Sequence, residues 1–306
     1  MRYFIISGGT GRTGRNMLRG LIEHSEDFSD CAFRFSCREK SDTSLIDALP
    51  MEHEKMLGDV RDSDFADRLT KFGENATLIH IAGIDKSRLL VKYAIKNGVK
   101  HIVLMHTTGI YSKYKSASRE YLKIEAEIEE MLKGTDIALT YMRPTMIYGN
   151  LADKNISTFI KLTDKFRLFP LVGGGKYELQ PVFYGDLGKA LFGLLCNLET
   201  AKGKNYILSG GHPLTLRKLL ETISEQLGKK TVYFSVSYPL AYTCACILYF
   251  ITFHKVDYRE RVMRLVEPRV FSHELAQKEL GYNPVDFAEG VKGEIEEYKK
   301  LKASKK

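Results

Sequence analysis

The sequence predicts an α/β fold: a doubly wound parallel sheet with a smaller, partly interleaved C-terminal lobe. Three observations carry this expectation. Short, nearly continuous apolar runs alternate with amphipathic stretches from residue 2 to residue 143. A glycine cluster follows the first apolar run directly. The chain has 306 residues, 44% apolar and 27% charged, which is enough for a sizeable core and excludes a disordered or fibrous protein.

The elements follow in order. The run Arg2 to Ser7 leads into an amphipathic stretch from Arg12 to His24, and Phe33 to Ser36 forms a second strand. Met56 to Val60 is then followed by Asp62 to Phe72, Thr77 to Gly83 by Lys86 to Asn97, and His101 to Thr108 by Ser118 to Lys133, before the run Ile137 to Arg143. Strand and helix periods in alternation imply parallel strands covered by helices on both faces. After Pro144 the rhythm changes, with a polar loop at Tyr148-Gly149-Asn150, helical stretches at Ile156 to Phe166, Gly185 to Leu198 and Leu214 to Leu227, and a strand at Asn205 to Leu208. The division expected is a first domain over 1–150 to which 180–208 returns, and a smaller substrate lobe over 151–179 and 209–306.

From Thr231 to Phe253 there is no charged residue. The helical part after Pro239 is about 14 residues or about 21 Å long, short of the about 30 Å of a bilayer core. Two readings stand: a buried or cleft-lining helix, which is favoured, and an interfacial helix held on a membrane by Lys255, Arg259, Arg261 and Arg264.

Gly8-Gly9-Thr10-Gly11-Arg12-Thr13-Gly14 stands between the first strand and the first helix. Glycines there permit positive φ and close backbone approach, and a helix amino terminus offers free N–H groups to phosphates, so this is a dinucleotide-binding turn. At the end of the second strand stands Arg38, where an NAD-preferring site places an acid on the ribose 2′-hydroxyl. Arg38 and Arg12 suit a 2′-phosphate, which favours NADP, while Glu39 keeps NAD open if the register is shifted.

The spacing of Gly8, Gly11 and Gly14, with Gly58-Asp59-Val60, Ile81-Ala82-Gly83, Arg143-Pro144 and Tyr148-Gly149, resembles the extended and atypical short-chain dehydrogenase/reductases. These include the NAD-dependent epimerase/dehydratase group and the NmrA-like NAD(P)H-binding proteins. The resemblance continues through Gln180-Pro181-Val182, Asp186, Asn205 to Gly210, Leu280-Gly281-Tyr282 and Pro284. It implies a Rossmann lobe in which Asp59 and Val60 border the adenine and Ala82 and Gly83 face the middle of the cofactor, with Arg143 and Pro144 also at the cofactor site.

The family's catalytic set, a Ser or Thr with a Tyr four residues before a Lys, is matched by Thr107 and Tyr121, but Glu125 stands where the Lys belongs. A carboxylate there is expected to raise the phenol pKa and repel a phenolate, whereas a lysine would lower it. Tyr111 and Tyr114 in the preceding loop are substitutes. His80 and His106 end strands and read as hydrogen-bonded structure before catalysts.

Other classes are weaker. The net charge of +8 is spread along the chain except for Lys299 to Lys306, read as a solvated tail, and there is no Trp, so no nucleic-acid role is expected. Five scattered cysteines without a CxxC pair, and an amino terminus without a signal, point to reduced thiols and the cytoplasm. No metal-ligand spacing occurs. The sequence thus reads as an oxidoreductase or nucleotide-sugar epimerase or dehydratase acting by hydride transfer on a small molecule, with a non-catalytic NAD(P)H-binding regulator or assembly factor as the alternative.

Overall fold

The computed structural model describes residues 1–114 and 116–304. Six parallel strands come from the first half of the chain: β1 (Arg2–Ser7), β2 (Cys31–Cys37), β3 (Glu52–Leu57), β4 (Thr77–His80), β5 (His101–Met105) and β6 (Ala138–Pro144). The strand Asn205–Leu208 adds to β6, so the seven-stranded order is Asn205–Leu208, β6, β5, β4, β1, β2, β3. The order reverses at β1, and the crevice beyond the strands' carboxyl ends at such a reversal is where open parallel sheets bind ligands.

Alternation along β1 explains the two-sided core. Phe4 and Ile6 face one layer, where α1 (Arg12–Glu23) contributes Met17, Leu18 and Leu21 and the Tyr184–Cys196 helix contributes Leu187, Leu191 and Leu194. Ile5 faces the other, under Phe65 and Leu69 of Ser63–Thr70, Leu90 and Val91 of Ser87–Lys96, and Ile124 and Ile128 of Ala117–Leu132. The apolar spacings of three and four residues put one stripe of each helix on the sheet. Tyr184–Cys196 lies very close to α1, because a Cβ at Gly188 would meet Thr13 O at 2.8 Å.

The smaller lobe has its own apolar cluster, including Tyr148, Ile156, Ile160, Leu219, Ile223 and Val291. Two expectations change here. The basic tail is helical over Lys292–Ala303 and packs through buried Ile295, with Lys302 paired to Asp164 and Lys299 donating to Gln226 O; Lys305 and Lys306 lie outside the described residues. The uncharged segment forms a helix, Tyr238–Ile251, but it is not buried: only Ala245 is fully enclosed. The favoured buried reading is therefore overturned, since Leu240, Ile247, Phe250 and Ile251 face solvent.

Candidate functional site: a dinucleotide groove and an adjoining pocket

The glycine turn is built as its sequence requires. Gly8 has φ +91°, and its carbonyl accepts the Gly11 N–H at 3.0 Å, so the chain turns tightly into α1. Gly14 is indispensable for the packing, because a Cβ there would meet Gly8 O at 2.5 Å and Gly9 Cα at 2.6 Å. Gly11 caps α1 without a side chain, so the N–H groups of the first turn and the positive end of the helix dipole open on a groove. A pyrophosphate fits this cradle.

The groove is lined by Gly8, Thr10, Gly11, Arg12, Thr13, Gly14, Arg38, Asp59, Val60 and Ala82, over about 480 Å³. An outer part of about 720 Å³ shares Thr10, Gly11, Arg38 and Asp59 and adds Glu39. Several lining residues escaped sequence reasoning, Arg61, Ser41 and Lys86 among them. Arg61 donates to both Asp59 oxygens at 3.0 Å and holds that carboxyl at about 2. Ser41 accepts the Arg38 N–H at 3.3 Å. Lys86 binds Ala82 O at 2.9 Å and lines the groove three residues after Gly83; its place just beyond a parallel strand was the available signal.

His80 braces this wall. Its Nε2–H donates to Gly83 O at 2.8 Å, which leaves Nδ1 to accept from Ser7 Oγ at 2.5 Å. Burial pushes its pKa down to about 4, so the ring is neutral and ties the β1 and β4 loops together. Gly83, with φ +107°, is thus held by its carbonyl and is not among the residues lining the groove.

Ile147 borders both the groove and a second pocket of about 300 Å³, so the two adjoin. Thr107 lines the pocket, and its Oγ1 accepts the Gly109 N–H at 2.9 Å, leaving the hydroxyl hydrogen available. Tyr111, about half exposed, lines it too. Arg264 and Arg269 also line it, with Glu267. Among the described residues, the buried Nε of each arginine has no hydrogen-bond partner. Burial, with the Arg264 charge, lowers Arg269 to about 10, which leaves it protonated at neutral pH. Glu267 accepts from Ser112 Oγ at 2.7 Å and Lys113 N at 2.8 Å, clamping the Tyr111 loop to the segment that carries the arginines. No motif flags these arginines; only the fold brings them into one pocket with Thr107.

The other expected site residues lie elsewhere. Tyr121 packs partly buried on the apolar layer under the sheet and lines neither cavity. Glu125, one residue beyond Ile124, is turned into the core. There Arg143 grips it with Nη1 at 2.6 Å and Nη2 at 2.9 Å, and His106 Nδ1 lies at 2.7 Å. Burial opposes the charge, but the hydrogen bonds from His106 and Arg143 and the arginine's charge outweigh it and hold Glu125 below the ordinary carboxylate value. The repulsion expected between Glu125 and Tyr121 is corrected accordingly, because the carboxylate is neutralised inside the fold. Arg143 is likewise corrected from a cofactor ligand to a buried ion-pair partner, and Pro144 is buried with its carbonyl accepting from Thr108 Oγ1 at 3.2 Å. Neither lines the groove.

The profile of the NAD(P)H-binding family matches residues 8–167, just over half of the chain. The chain belongs to the NAD(P)H-binding family. Among curated relatives, this NAD(P)H-binding chain is 27% identical over 126 residues to NADH dehydrogenase [ubiquinone] 1 alpha subcomplex subunit 9, mitochondrial, of Arabidopsis thaliana, covering 41% of this chain and 31% of the relative. It is 24% identical over 214 residues to N-acetyl-alpha-D-glucosaminyl-diphospho-ditrans,octacis-undecaprenol 4-epimerase of Escherichia coli O157:H7, covering 60% and 64%. The matches thus span less than two thirds of either relative's length.

Solved structures share the fold across nearly the whole chain. UDP-glucuronic acid 4-epimerase of Bacillus cereus, in complex with UDP-glucuronic acid and NAD, superposes with a TM-score of 0.68 at 14% identity, covering 98% of this chain and all of the other. Triphenylmethane reductase of Citrobacter sp., complexed with NADP(H), gives 0.69 at 20%, covering 95% and 99%. The structures that share this fold include an epimerase, a dehydratase and a reductase.

Proposed function

We propose that this chain is an NADP-dependent oxidoreductase or nucleotide-sugar epimerase acting at a carbonyl or hydroxyl group, on a substrate that carries an anionic group. The observation that supports this best is the junction at Ile147, where the groove at the α1 amino terminus meets a pocket lined by Thr107 and Tyr111 together with Arg264 and Arg269. A bound nicotinamide supplies or accepts the hydride of such chemistry.

The chain's own residues have separable roles. Arg38 and Arg12 take a 2′-phosphate, the α1 amino terminus takes the pyrophosphate, and Asp59, Val60 and Ala82 line the intervening wall. Thr107 donates its hydroxyl hydrogen to the substrate oxygen, and Tyr111 is the phenol placed to exchange a proton with it. Tyr121, away from both cavities, supports the fold instead. The guanidiniums of Arg264 and Arg269 bind a carboxylate or diphosphate, whose charge satisfies their buried Nε groups. Two similar proteins point the same way in their names, one an epimerase of a diphospho sugar and one complexed with UDP-glucuronic acid and NAD.

The test is turnover of carbonyl and nucleotide-sugar panels with NADPH. Wild type is expected to turn over an anionic substrate, Tyr111→Phe to lose most of kcat with NADPH binding retained, and Tyr121→Phe to keep it. Absence of turnover by wild type, or an unaffected Tyr111→Phe, counts against the reading.

A further inference from the structure

The Tyr238–Ile251 helix carries its apolar face outward. Leu240, Thr243, Cys244, Ile247, Phe250 and Ile251 are exposed, and their spacing of three and four residues places them along one side. The inner side packs on the helix Arg259–Arg264, with Ala245 buried and the Arg259 guanidinium 3.8 Å from the Tyr249 ring centroid. Just beyond the helix, Phe253 and His254 take positive φ, +52° and +68°, which bulky residues adopt at a cost. Phe253 is left 86% exposed. A run of apolar side chains facing outward in this way marks an interaction surface.

Charge identifies the occupant. No charged side chain occurs from Thr231 to Phe253, so a protein partner would find no ion-pair handle on this face. Immediately after it come Lys255 and Arg261, both exposed and without an ion pair among the described residues, while Arg259 is paired with Asp257 and Arg264 approaches Glu260. An apolar stripe followed closely in the chain by exposed cations complements an anionic lipid surface, in which aromatic and aliphatic side chains enter the acyl boundary and cations meet the headgroups. No helix of the described residues is long and apolar enough to cross a membrane, so the contact lies in the surface plane.

We infer that the Tyr238–Ile251 helix, with Phe253, docks the protein on an anionic bilayer surface. The docked face is separate from the dinucleotide groove, so it is testable whether or not the proposed reaction is correct.

The experiment is co-sedimentation of the full chain with vesicles of phosphatidylglycerol and phosphatidylcholine in equal parts, against phosphatidylcholine alone. Wild type is expected to bind the anionic vesicles more tightly. Phe250→Ser with Phe253→Ser should weaken binding at least about tenfold, since an apolar side chain's burial is worth that factor or more. Lys255→Glu with Arg261→Glu should abolish the preference for anionic vesicles. Thermal stability and NADPH affinity, measured on the same variants, should match wild type. Failure of wild type to bind either vesicle overturns the inference. So does equal binding by the serine variant, or a dimer of wild type that the serine variant dissolves without any vesicle binding.

Discussion

Glu125→Lys puts the two descriptions of this position into direct conflict. If residue 125 were the missing cation of a Tyr121 site, lysine would lower the tyrosine pKa and increase turnover. The structure predicts a folding defect. The substitution removes a carboxylate that accepts from both Arg143 Nη atoms and from His106, all buried, and places an ammonium against the arginine. Breaking a buried pair from one side costs about 3–5 kcal/mol, and a like charge adds to it. In a chain of this size that is a fall in melting temperature of roughly 10 °C. Thermal and urea unfolding of wild type, Glu125→Lys and Glu125→Gln, read alongside NADPH titration, make the measurement. The glutamine, uncharged and similar in shape, should lose less than the lysine. A Glu125→Lys protein that melts within a degree or two of wild type would refute the burial argument, and increased turnover would restore Tyr121 as the working phenol.

Two further outcomes follow from packing and burial. Gly14→Ala should reduce NADPH affinity by at least about tenfold and cost about 1–3 kcal/mol of stability, because the new Cβ falls 0.9 Å inside the 3.4 Å of ordinary contact with Gly8 O, and only backbone can give way; a folded variant with unchanged affinity would contradict the cradle. Burial, reinforced by Asp153, raises Glu294 to about 9. The folded chain therefore holds a proton at neutral pH that the unfolded chain releases, and this group's contribution is complete below the ordinary glutamate value and lost as pH rises toward 9. Between about pH 6 and about pH 8, wild type should lose at most roughly 3 kcal/mol relative to Glu294→Gln, and parallel denaturation curves for the two proteins would dismiss the buried proton.

The alternation of strand and helix was legible where strands are apolar, as in β1 and β5, and where covering helices keep a stripe such as Met17, Leu18 and Leu21; β3 (Glu52–Leu57), polar and mostly exposed, begins four residues before the run Met56 to Val60 expected for it. The glycine turn was legible because its constraints are local, all within Gly8 to Gly14. Glu125 was not, since its partners are His106, just past β5, and Arg143 in β6, and a carboxylate beside Ile124 reads from sequence as surface or active site. Arg264 and Arg269 were hidden for the same reason, their neighbours Thr107 and Tyr111 being far away in the chain. Tyr238–Ile251 misled for a different reason. It is apolar all round, so periodicity names no inward face, and the rule that apolar helices are buried fails at a surface built to be covered.

The most direct test of the cofactor groove is calorimetric titration of wild type and Arg38→Ala with NADPH and with NADH. One site per chain is predicted for wild type, with NADPH the tighter ligand. Arg38→Ala should lose roughly tenfold to a hundredfold in NADPH affinity, the worth of charge-assisted hydrogen bonds to the 2′-phosphate, and little for NADH. Equal losses for both cofactors would remove Arg38 from the 2′-phosphate, and no binding of either by wild type would contradict the groove itself.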